Sequence, residues 1–270
     1  MRQQRRQVVV VGYLIRGALH PDAKRLCCGQ FAPPNALVYG MNTCLFLTFK
    51  SGSAVATDEL AQLTGFLRAT PKLTKALLHT PASTSDPYVK DDPSPSLVLQ
   101  LYFAELTDLE ASASRSGYLQ ALTSRNDFPG LAEAEASQQA MLVRPFAVPD
   151  PALRTPPGEP YCTYLVSYEG EAEDLNAWHS HYLENHTRRM AMFSGIRELE
   201  VYTRLDWISA QPWRRLNFMQ RNKVAFDSPA ALKAALNSPV RHEMRADFKT
   251  FSAFSGPNTH FAMATHRVQP

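Results

Sequence analysis

The second half of the chain begins with a strand, helix, strand pattern. Residues 161–168 and 196–204 alternate between apolar and polar side chains, which is typical of half-buried strands. Between them, four large side chains recur every four residues: Trp178, Tyr182, His186 and Met190. At about 3.6 residues per turn these four share one helical face, which we expect to pack against the sheet. A stripe used only for packing would carry Leu, Ile or Ala, so the polar aromatics predict a cavity between helix and sheet.

The same order of elements is predicted twice along the chain. The first set comprises strands at 44–50, 73–80, 97–104 and 138–146, with helices at 57–69 and 106–122. The second set comprises strands at 161–168, 196–204, 222–226 and 260–268, with helices at 173–193 and 229–251. Similar residues recur at an offset of 118 for the first strand and 122 or 123 for the others. So steady an offset indicates an internal duplication.

The repeated β-α-β-β-α-β order predicts an α+β fold. Each half would form a four-stranded antiparallel sheet with both helices on one face, as in ferredoxin-like folds. The bare faces of the two sheets can cover each other, so we expect an intramolecular pseudo-dimer. The expected domains are a first repeat at 41–148, a stiff Pro-rich linker at 149–160 and a second repeat at 161–270.

Composition and charge narrow the classes of function. The net charge is +3, and residues 1–25 hold six basic residues against one acidic residue, so the rest of the chain is slightly negative. A nucleic-acid partner is therefore not expected, because phosphate binding requires a concentrated basic face. Four cysteines without metal-ligand spacing fit a reducing compartment, and we predict a cytoplasmic protein.

Residues 1–40 precede the first predicted strand. Their one apolar run is short and is followed by Arg16 without a small-residue cleavage site, so neither an export signal nor a membrane span is predicted. We expect this extension to be dispensable for the fold, as a disordered tail or as upstream sequence translated from a start placed too early. A targeting or packing segment is the alternative.

Two short motifs and the element order resemble a known family. The spacing Tyr182-Leu-Glu-Asn-His186, the Phe193-Ser-Gly-Ile196 turn and the repeated β-α-β-β-α-β order resemble the EthD-like family of the dimeric α+β barrel superfamily, in a tandem form. In that family the Tyr-x-x-x-His motif is usually followed by a small residue, Pro and Leu. Here Thr187 is followed by two arginines, and the first half lacks the motif.

The resemblance implies two ferredoxin-like repeats closed into an intramolecular dimeric α+β barrel, with a pocket between sheet and helices. Relatives use this pocket for lactone isomerisation, for cyclisation or dehydration of polyketides, for cofactor-free oxygenation and for haem chemistry. Fold alone does not choose among these activities.

His186 and Tyr182 are the strongest candidates for catalysis. A histidine titrates near neutrality and can move a proton, while a phenol one turn away can donate to a developing oxyanion. A hydrogen-bonded core pair is the alternative. We expect Met190 to contact substrate, and Trp178 either to pack in the core or to contact substrate as part of the cavity wall. Arg204 and Trp207 begin a loop rich in Trp and Arg that either reaches the cavity or covers the other half.

The histidine pattern does not predict a metal site. Six of the eight histidines lie in the second half, but His179 and His181 diverge by about 200° on a helix. Haem bound through His242 or His186 is an alternative, although no residue is singled out as an axial ligand. We therefore expect no cofactor. The cations Arg241 and Arg245 are assigned to a solvated helix face.

These observations favour a cofactor-independent isomerase or lyase. It would act by proton transfer on a small enolisable, aromatic-derived or lactone-like catabolite, with His186 as base and Tyr182 as oxyanion donor. The alternative is a non-catalytic ligand-binding or accessory protein of a catabolic pathway. The expected partner is a small-molecule substrate, with no nucleic acid and no membrane, and the duplicated chain could form a homo-oligomer.

Overall fold

A computed structural model describes residues 42–89 and 93–270. The prediction for residues 1–40 lies outside them. The strands are β1 (Thr43–Lys50), β2 (Leu73–Pro81), β3 (Leu97–Phe103), β4 (Glu135–Phe146), β5 (Tyr161–Tyr168), β6 (Ile196–Arg204), β7 (Arg214–Arg215), β8 (Gln220–Phe226) and β9 (Asn258–Val268). The helices are α1 (Thr57–Arg68), α2 (Leu106–Ala113), α3 (Pro129–Glu133), α4 (Leu175–His181), α5 (Thr187–Met190), α6 (Pro229–Leu236) and α7 (Pro239–Phe248).

Eight of the strands close into an antiparallel barrel. Neighbouring strands follow the order β1-β3-β2-β9-β5-β8-β6-β4, and β4 pairs back with β1, while the short β7 pairs in parallel with β4. The four barrel strands of each half lie side by side, in the orders β4-β1-β3-β2 and β9-β5-β8-β6. The halves join through β2–β9 and β4–β6. This confirms the expected α+β barrel.

Alternation along the strands divides the apolar side chains among three cores. Outward-facing residues of the first half pack under its helices with Leu63 and Leu67, and those of the second half pack with Trp178 and Tyr182. Inward-facing residues such as Phe46 form the third core inside the barrel. Among the residues that the structure describes, no helix is long and apolar enough to span a bilayer.

Strand register matches between the halves at three of the four predicted strand pairs. Leu73 lies opposite Phe103 and Ile196 lies opposite Phe226, and in each case a register shift follows within two residues. Both pairs keep the predicted offset of 123. The last strands, β4 and β9, keep the offset of 122. Leu45 of β1 lies opposite Ala140, and Tyr164, the equivalent residue of β5, lies opposite Ala262.

The first strands match at a different offset from the predicted one. Thr43 lies opposite Phe103 and Cys162 lies opposite Phe226, so β1 and β5 correspond at 119 rather than 118. The predicted match of Cys44 with Cys162 was therefore wrong by one residue. Because a one-residue slip turns a strand side chain to the other face, Cys44 faces the barrel interior and Cys162 faces the helices.

The helices depart from the predictions at three places. The predicted helix 229–251 is two helices, because Pro239 occupies the first turn of α7 and cannot continue α6. The predicted helix 106–122 ends at Ala113, and a 3₁₀ turn follows at Tyr118–Thr123. The predicted helix 173–193 is continuous from Leu175, but its middle turn, Tyr182–His186, is a π turn between α4 and α5.

Candidate active site

A cavity of about 290 Å³ lies between the sheet and the helices of the second half. Its walls are formed by the outward faces of β5 and β8 and by the π turn, α5, α6 and α7. Aromatic and aliphatic side chains predominate, and polar groups are contributed by Asn222, His186 and Arg241. This volume is at the lower end of ligand pockets, so the cavity suits a compound of one or two rings.

The π turn places Tyr182 and His186 in the cavity wall. Asp174 caps the start of α4 by accepting a hydrogen bond from the backbone N–H of Ala177 (2.8 Å), and the helix then widens at the π turn. Single π turns are frequent at functional sites, where they redirect side chains. Tyr182, His186 and Met190 line the cavity as the sequence stripe predicts.

Trp178 takes a different position from the other three members of the stripe. Its side chain is fully buried and is not part of the cavity wall. It packs edge to face against Phe251 and Phe254, each with a centroid distance of 4.8 Å, and against Tyr168 at 5.3 Å. Trp178 therefore packs behind the aromatic residues of the cavity wall and does not line the cavity itself.

His186 forms a buried pair with Asp247 from α7. Its Nδ1 lies 2.7 Å from Oδ2 of Asp247, and both side chains are 5% exposed. The second carboxylate oxygen, Oδ1, lies 3.1 Å from Nε2 of His181 and 3.3 Å from Nη1 of Arg189. No described residue forms a hydrogen bond with Nε2 of His186, so that nitrogen is available to a ligand.

The electrostatics of this pair favour a neutral imidazole and an ionised carboxylate. Burial lowers the pKa of His186 below its ordinary value of 6.5, against the opposing effect of Asp247. Burial also favours the neutral acid of Asp247, but hydrogen bonds from His186 and His181 outweigh it and lower the pKa of Asp247. An ionised carboxylate only accepts, so Nδ1 of His186 carries the proton and Nε2 carries a lone pair.

Tyr182 presents its hydroxyl beside His186. The two rings lie 4.8 Å apart between centroids, and Nδ2 of Asn222 donates a hydrogen bond to the Tyr182 oxygen. The hydroxyl proton points to the thioether of Met190 at 3.8 Å, which is a weak acceptor. Burial, followed by Tyr168, raises the pKa of Tyr182 well above 10, so this phenol stays protonated. It can therefore donate to a ligand oxygen.

A loop of the first half closes the rim of the cavity. Oδ2 of Asp86 accepts two hydrogen bonds from Arg241, at 2.7 and 3.1 Å, and one from the hydroxyl of Tyr164 at 2.8 Å. Tyr88 of the same loop lines the cavity, and its hydroxyl contacts Nδ1 of the exposed His242. The cavity is thus built from both halves.

The structure does not bring Arg204 and Trp207 to the cavity. Arg204 pairs with Glu171 near the surface, and Trp207 is buried in the core under the first-half helices. The reason is the course of their loop, in which the backbone N–H of Ala210 donates to the carbonyl of Ala113 at the end of α2. Of the two alternatives for this loop, the structure shows the one in which its tryptophans cover the other half.

Sequence reasoning missed four residues of the site: Asp247, Asn222, Asp86 and Arg241. Alternation could have identified Asn222, because it shares a strand face with Val224 and Phe226. The assignment of Arg241 to a solvated face was wrong, since the residue is 9% exposed and paired with Asp86, and Arg245, which was assigned with it, also lines the cavity. No local signal marks Asp86 or Asp247, because their partners are distant in sequence.

The described residues form no metal-binding cluster, and the cavity is small for a porphyrin. A porphyrin is larger than a cavity of about 290 Å³, and His242 lies on the outside with its Nδ1 on Tyr88. In the described part of the chain, no cluster of three or more His, Cys, Asp or Glu side chains is arranged to hold a metal ion. The reaction proposed for this site uses only its own side chains.

Comparisons with known proteins support the fold. An anthrone oxidase-like protein is similar, with a TM-score of 0.55 and 14% identity over 85% of this chain and 93% of that one. A Fusobacterium nucleatum protein assigned as a monooxygenase has a TM-score of 0.50 and 8% identity over 86% and 95% of the two chains. An EthD family protein from Bacillus halodurans matches 37% of this chain and 96% of that one at 19% identity, but its TM-score of 0.29 is too low to support the fold.

These similarities are similarities of fold. No protein family matches the sequence, and no curated protein is significantly similar to it. At such low identities the solved structures support the α+β barrel fold alone and carry no information about the reaction. The residues of the cavity therefore carry the information about function.

Proposed function

We propose that this protein is a cofactor-independent enzyme that moves a proton on a small enolisable carbonyl compound, as an isomerase or lyase. The observation that supports this most strongly is the buried His186, which is held by Asp247 through Nδ1 and stands beside the hydroxyl of Tyr182. A positioned base and an oxyanion donor in a mostly apolar cavity are the two groups that enolisation needs.

In the proposed reaction, Nε2 of His186 takes a proton from the carbon next to the substrate carbonyl. The C–H bond breaks, its electron pair forms the C=C bond of an enolate, and the negative charge moves to the oxygen. Tyr182 donates a hydrogen bond to that oxygen, with its own oxygen held by Asn222. Asp247 stabilises the imidazolium, which then returns the proton to another carbon or to a leaving group.

The size and walls of the cavity support an aromatic-derived or lactone-like substrate. A volume of about 290 Å³ accommodates one or two rings, and the walls include Tyr168, Phe226 and Phe248. An anthrone, which is part of the name of one structural relative, is itself an enolisable aryl ketone. The proposal nevertheless depends on the residues of this cavity and not on that name.

Exchange of substrate protons with solvent tests the proposal. We expect the protein to accelerate deuterium exchange at the α-carbon of 2-tetralone in D₂O, followed by proton NMR. His186→Gln should lower this rate by about 10²- to 10⁴-fold, the usual contribution of a general base. His266→Gln, a change at an exposed histidine of β9, is the matched control and should exchange at the wild-type rate.

Two outcomes separate the proposal from its alternative. An exchange rate that His186→Gln leaves unchanged would refute the catalytic assignment. Binding of cyclic ketones or lactones without exchange in the wild type would support the alternative, a ligand-binding or accessory protein.

We also propose that the two halves are tandem EthD-like ferredoxin-like repeats. Support comes from the matching strand orders, from the register shifts after Leu73 and Ile196 and from the constant offsets of three strand pairs. The Tyr182 and His186 motif occurs only in the second half. On this proposal one repeat has kept the site and the other has become its structural partner.

A further inference from the structure

The cavity of the second half carries two arginines on one face of α7. Arg241 and Arg245 are four residues apart, one helical turn, and both line the cavity. Their surroundings differ, because Arg241 is paired with Asp86 while Arg245 forms no ion pair with any described carboxylate. Arg245 therefore provides a positive charge that the described residues leave uncompensated.

The guanidinium of Arg245 lies against aromatic rings of the cavity wall. Its Cζ is 6.0 Å from the ring centroid of Tyr88 and 5.9 Å from that of Phe248, and both rings line the cavity. Tyr88 is 39% exposed, which places Arg245 towards the rim. A guanidinium near aromatic rings is partly ordered before a ligand arrives, and its planar fork can bind a carboxylate with two parallel hydrogen bonds.

The charge of the cavity also favours an anionic ligand. Its described lining residues include Arg241 and Arg245 but no Asp or Glu, and the Asp86 carboxylate at the rim is paired with Arg241. An anionic group entering from the rim would meet Arg245 first, while an apolar ring could occupy the interior beside Tyr168 and Phe226. Such an arrangement selects for a ligand with charge at one end and a ring at the other.

We propose that the ligand of this cavity is an aromatic or cyclic carboxylate, and that Arg245 is the specificity-determining residue that binds its carboxylate. Because the inference names the substrate class of the same cavity, it rests on the function proposed above. Arg245 would hold the acid end of the substrate, and His186 would act on the enolisable carbon further inside.

Titration calorimetry with a matched pair of probes tests this inference. The probes are 2-naphthoate and its uncharged analogue 2-naphthamide, which differ in charge and hardly in shape. We expect the wild type to bind the acid at least about tenfold more tightly than the amide, as for a hydrogen bond to a charged group. Arg245→Gln should remove this preference, and Arg245→Lys should keep part of it.

Arg188→Gln is the control, because Arg188 is an exposed arginine of α5, and it should keep the full preference. Unfolding curves of all variants establish that they are folded. Equal affinities for acid and amide in the wild type, or an unchanged preference in Arg245→Gln, would overturn the inference. His186→Gln should keep the preference while losing exchange of 2-tetralone, so a failure of the proposed reaction can be told from a failure of this inference.

Discussion

The two halves of the barrel have the same strand order but differ in what lies under their helices. In the first half, apolar side chains such as Leu63, Leu67 and Leu99 fill that space. In the second half, the same layer encloses a cavity. The backbone arrangement is shared, so the side chains and the connecting loops decide which half can bind a ligand.

Strand register shows which substitutions separate the halves. Leu99 and Asn222 occupy equivalent positions, since they lie opposite the equivalent residues Leu47 and Val166. Leu101 and Val224 correspond in the same way. The second half therefore has a polar residue and a smaller one where the first half has two leucines. The smaller Val224 makes room for a ligand, and Asn222 places a polar group in the cavity wall.

The loops after the second strand of each half cross to the other half, with opposite results. Residues 205–219 insert Trp207 and Trp213 into the core of the first half, where Trp213 packs on Phe49 at 5.4 Å. The described part of the loop after β2 reaches the second half with Asp86 and Tyr88, which stay at the rim. The loop of residues 205–219 fills the space under the first-half helices, whereas the loop after β2 forms part of the rim of the second-half cavity.

The largest loss of stability is expected from removing a side chain that fills the core of the first half. Trp207→Ala removes a side chain that is 7% exposed and packed among the leucines of the first half. Deleting a buried Trp costs about 3 to 5 kcal/mol, because the surroundings collapse only partly into the space left behind. We expect a loss of this size in the free energy of unfolding by urea.

The neighbouring residue supplies the control for this change. Ile208 is 68% exposed, so Ile208→Ala should alter the free energy of unfolding by less than about 0.5 kcal/mol. If Trp207→Ala cost no more than Ile208→Ala, the tryptophan would not be what fills the first half.

Much of the fold could be predicted from the sequence, because period-two strands and period-3.6 helices carry local signals. The single error in strand alignment, Cys44 with Cys162, arose because identical residues suggested an offset that the register contradicts. Similarity of residue types does not show which face a side chain takes. Only the pairing of strands distinguishes an offset of 118 from 119.

The site was predictable only where it lay on one element. Tyr182, His186 and Met190 share a helix face and were identified together. Asp247 and Asp86 reach the site from elements 61 and 155 residues away from their partners, so no spacing rule could associate them. The π turn likewise has no residue signature in this sequence, since Tyr182–His186 reads as ordinary helix.

A smaller effect is expected from pH, because each half contributes a buried histidine of a different kind. His79 of β2 is fully buried, and its Nδ1 and Nε2 contact Thr265 (2.8 Å) and Gln100 (3.0 Å), which are neutral. Burial lowers the pKa of His79 from 6.5 to about 3. His186 has the carboxylate of Asp247 instead, which opposes the effect of burial on its pKa.

The sign of the pH effect follows from the depressed pKa values in the folded state. Below pH 6.5 the unfolded chain binds a proton at His79 that the folded protein does not bind, so stability is lost as pH falls. The loss from one such group is about 1.4 kcal/mol per pH unit. His79→Gln should therefore flatten the decline in unfolding free energy between pH 6 and pH 4, measured with urea at each pH.

His186→Gln should flatten this decline less than His79→Gln does, since protonated His186 would keep a charged partner. His266→Gln, at an exposed position, should leave the decline unchanged. Equal effects of His79→Gln and His186→Gln would mean that Asp247 does not distinguish the two histidines.

Filling the cavity is expected to give the smallest change in stability. It also tests most directly whether the two halves differ in how closely they are packed. Val224 lines the cavity and is 2% exposed, so Val224→Phe would direct a phenyl ring into the space that a ligand would occupy. The equivalent change in the first half is Leu101→Phe, at a fully buried position that is already surrounded by apolar side chains. Overpacking a filled core costs about 1 to 3 kcal/mol, whereas a ring placed in a cavity need not displace its neighbours.

We therefore expect Val224→Phe to change the free energy of unfolding by less than about 1 kcal/mol and to abolish binding of 2-naphthoate, while Leu101→Phe should cost more and leave binding intact. Urea unfolding and titration calorimetry measure the two effects on the same samples. The reverse order of stabilities would mean that the second half is as closely packed as the first. Binding that survived Val224→Phe would place the ligand site elsewhere, because a filled cavity has no room for a naphthalene ring.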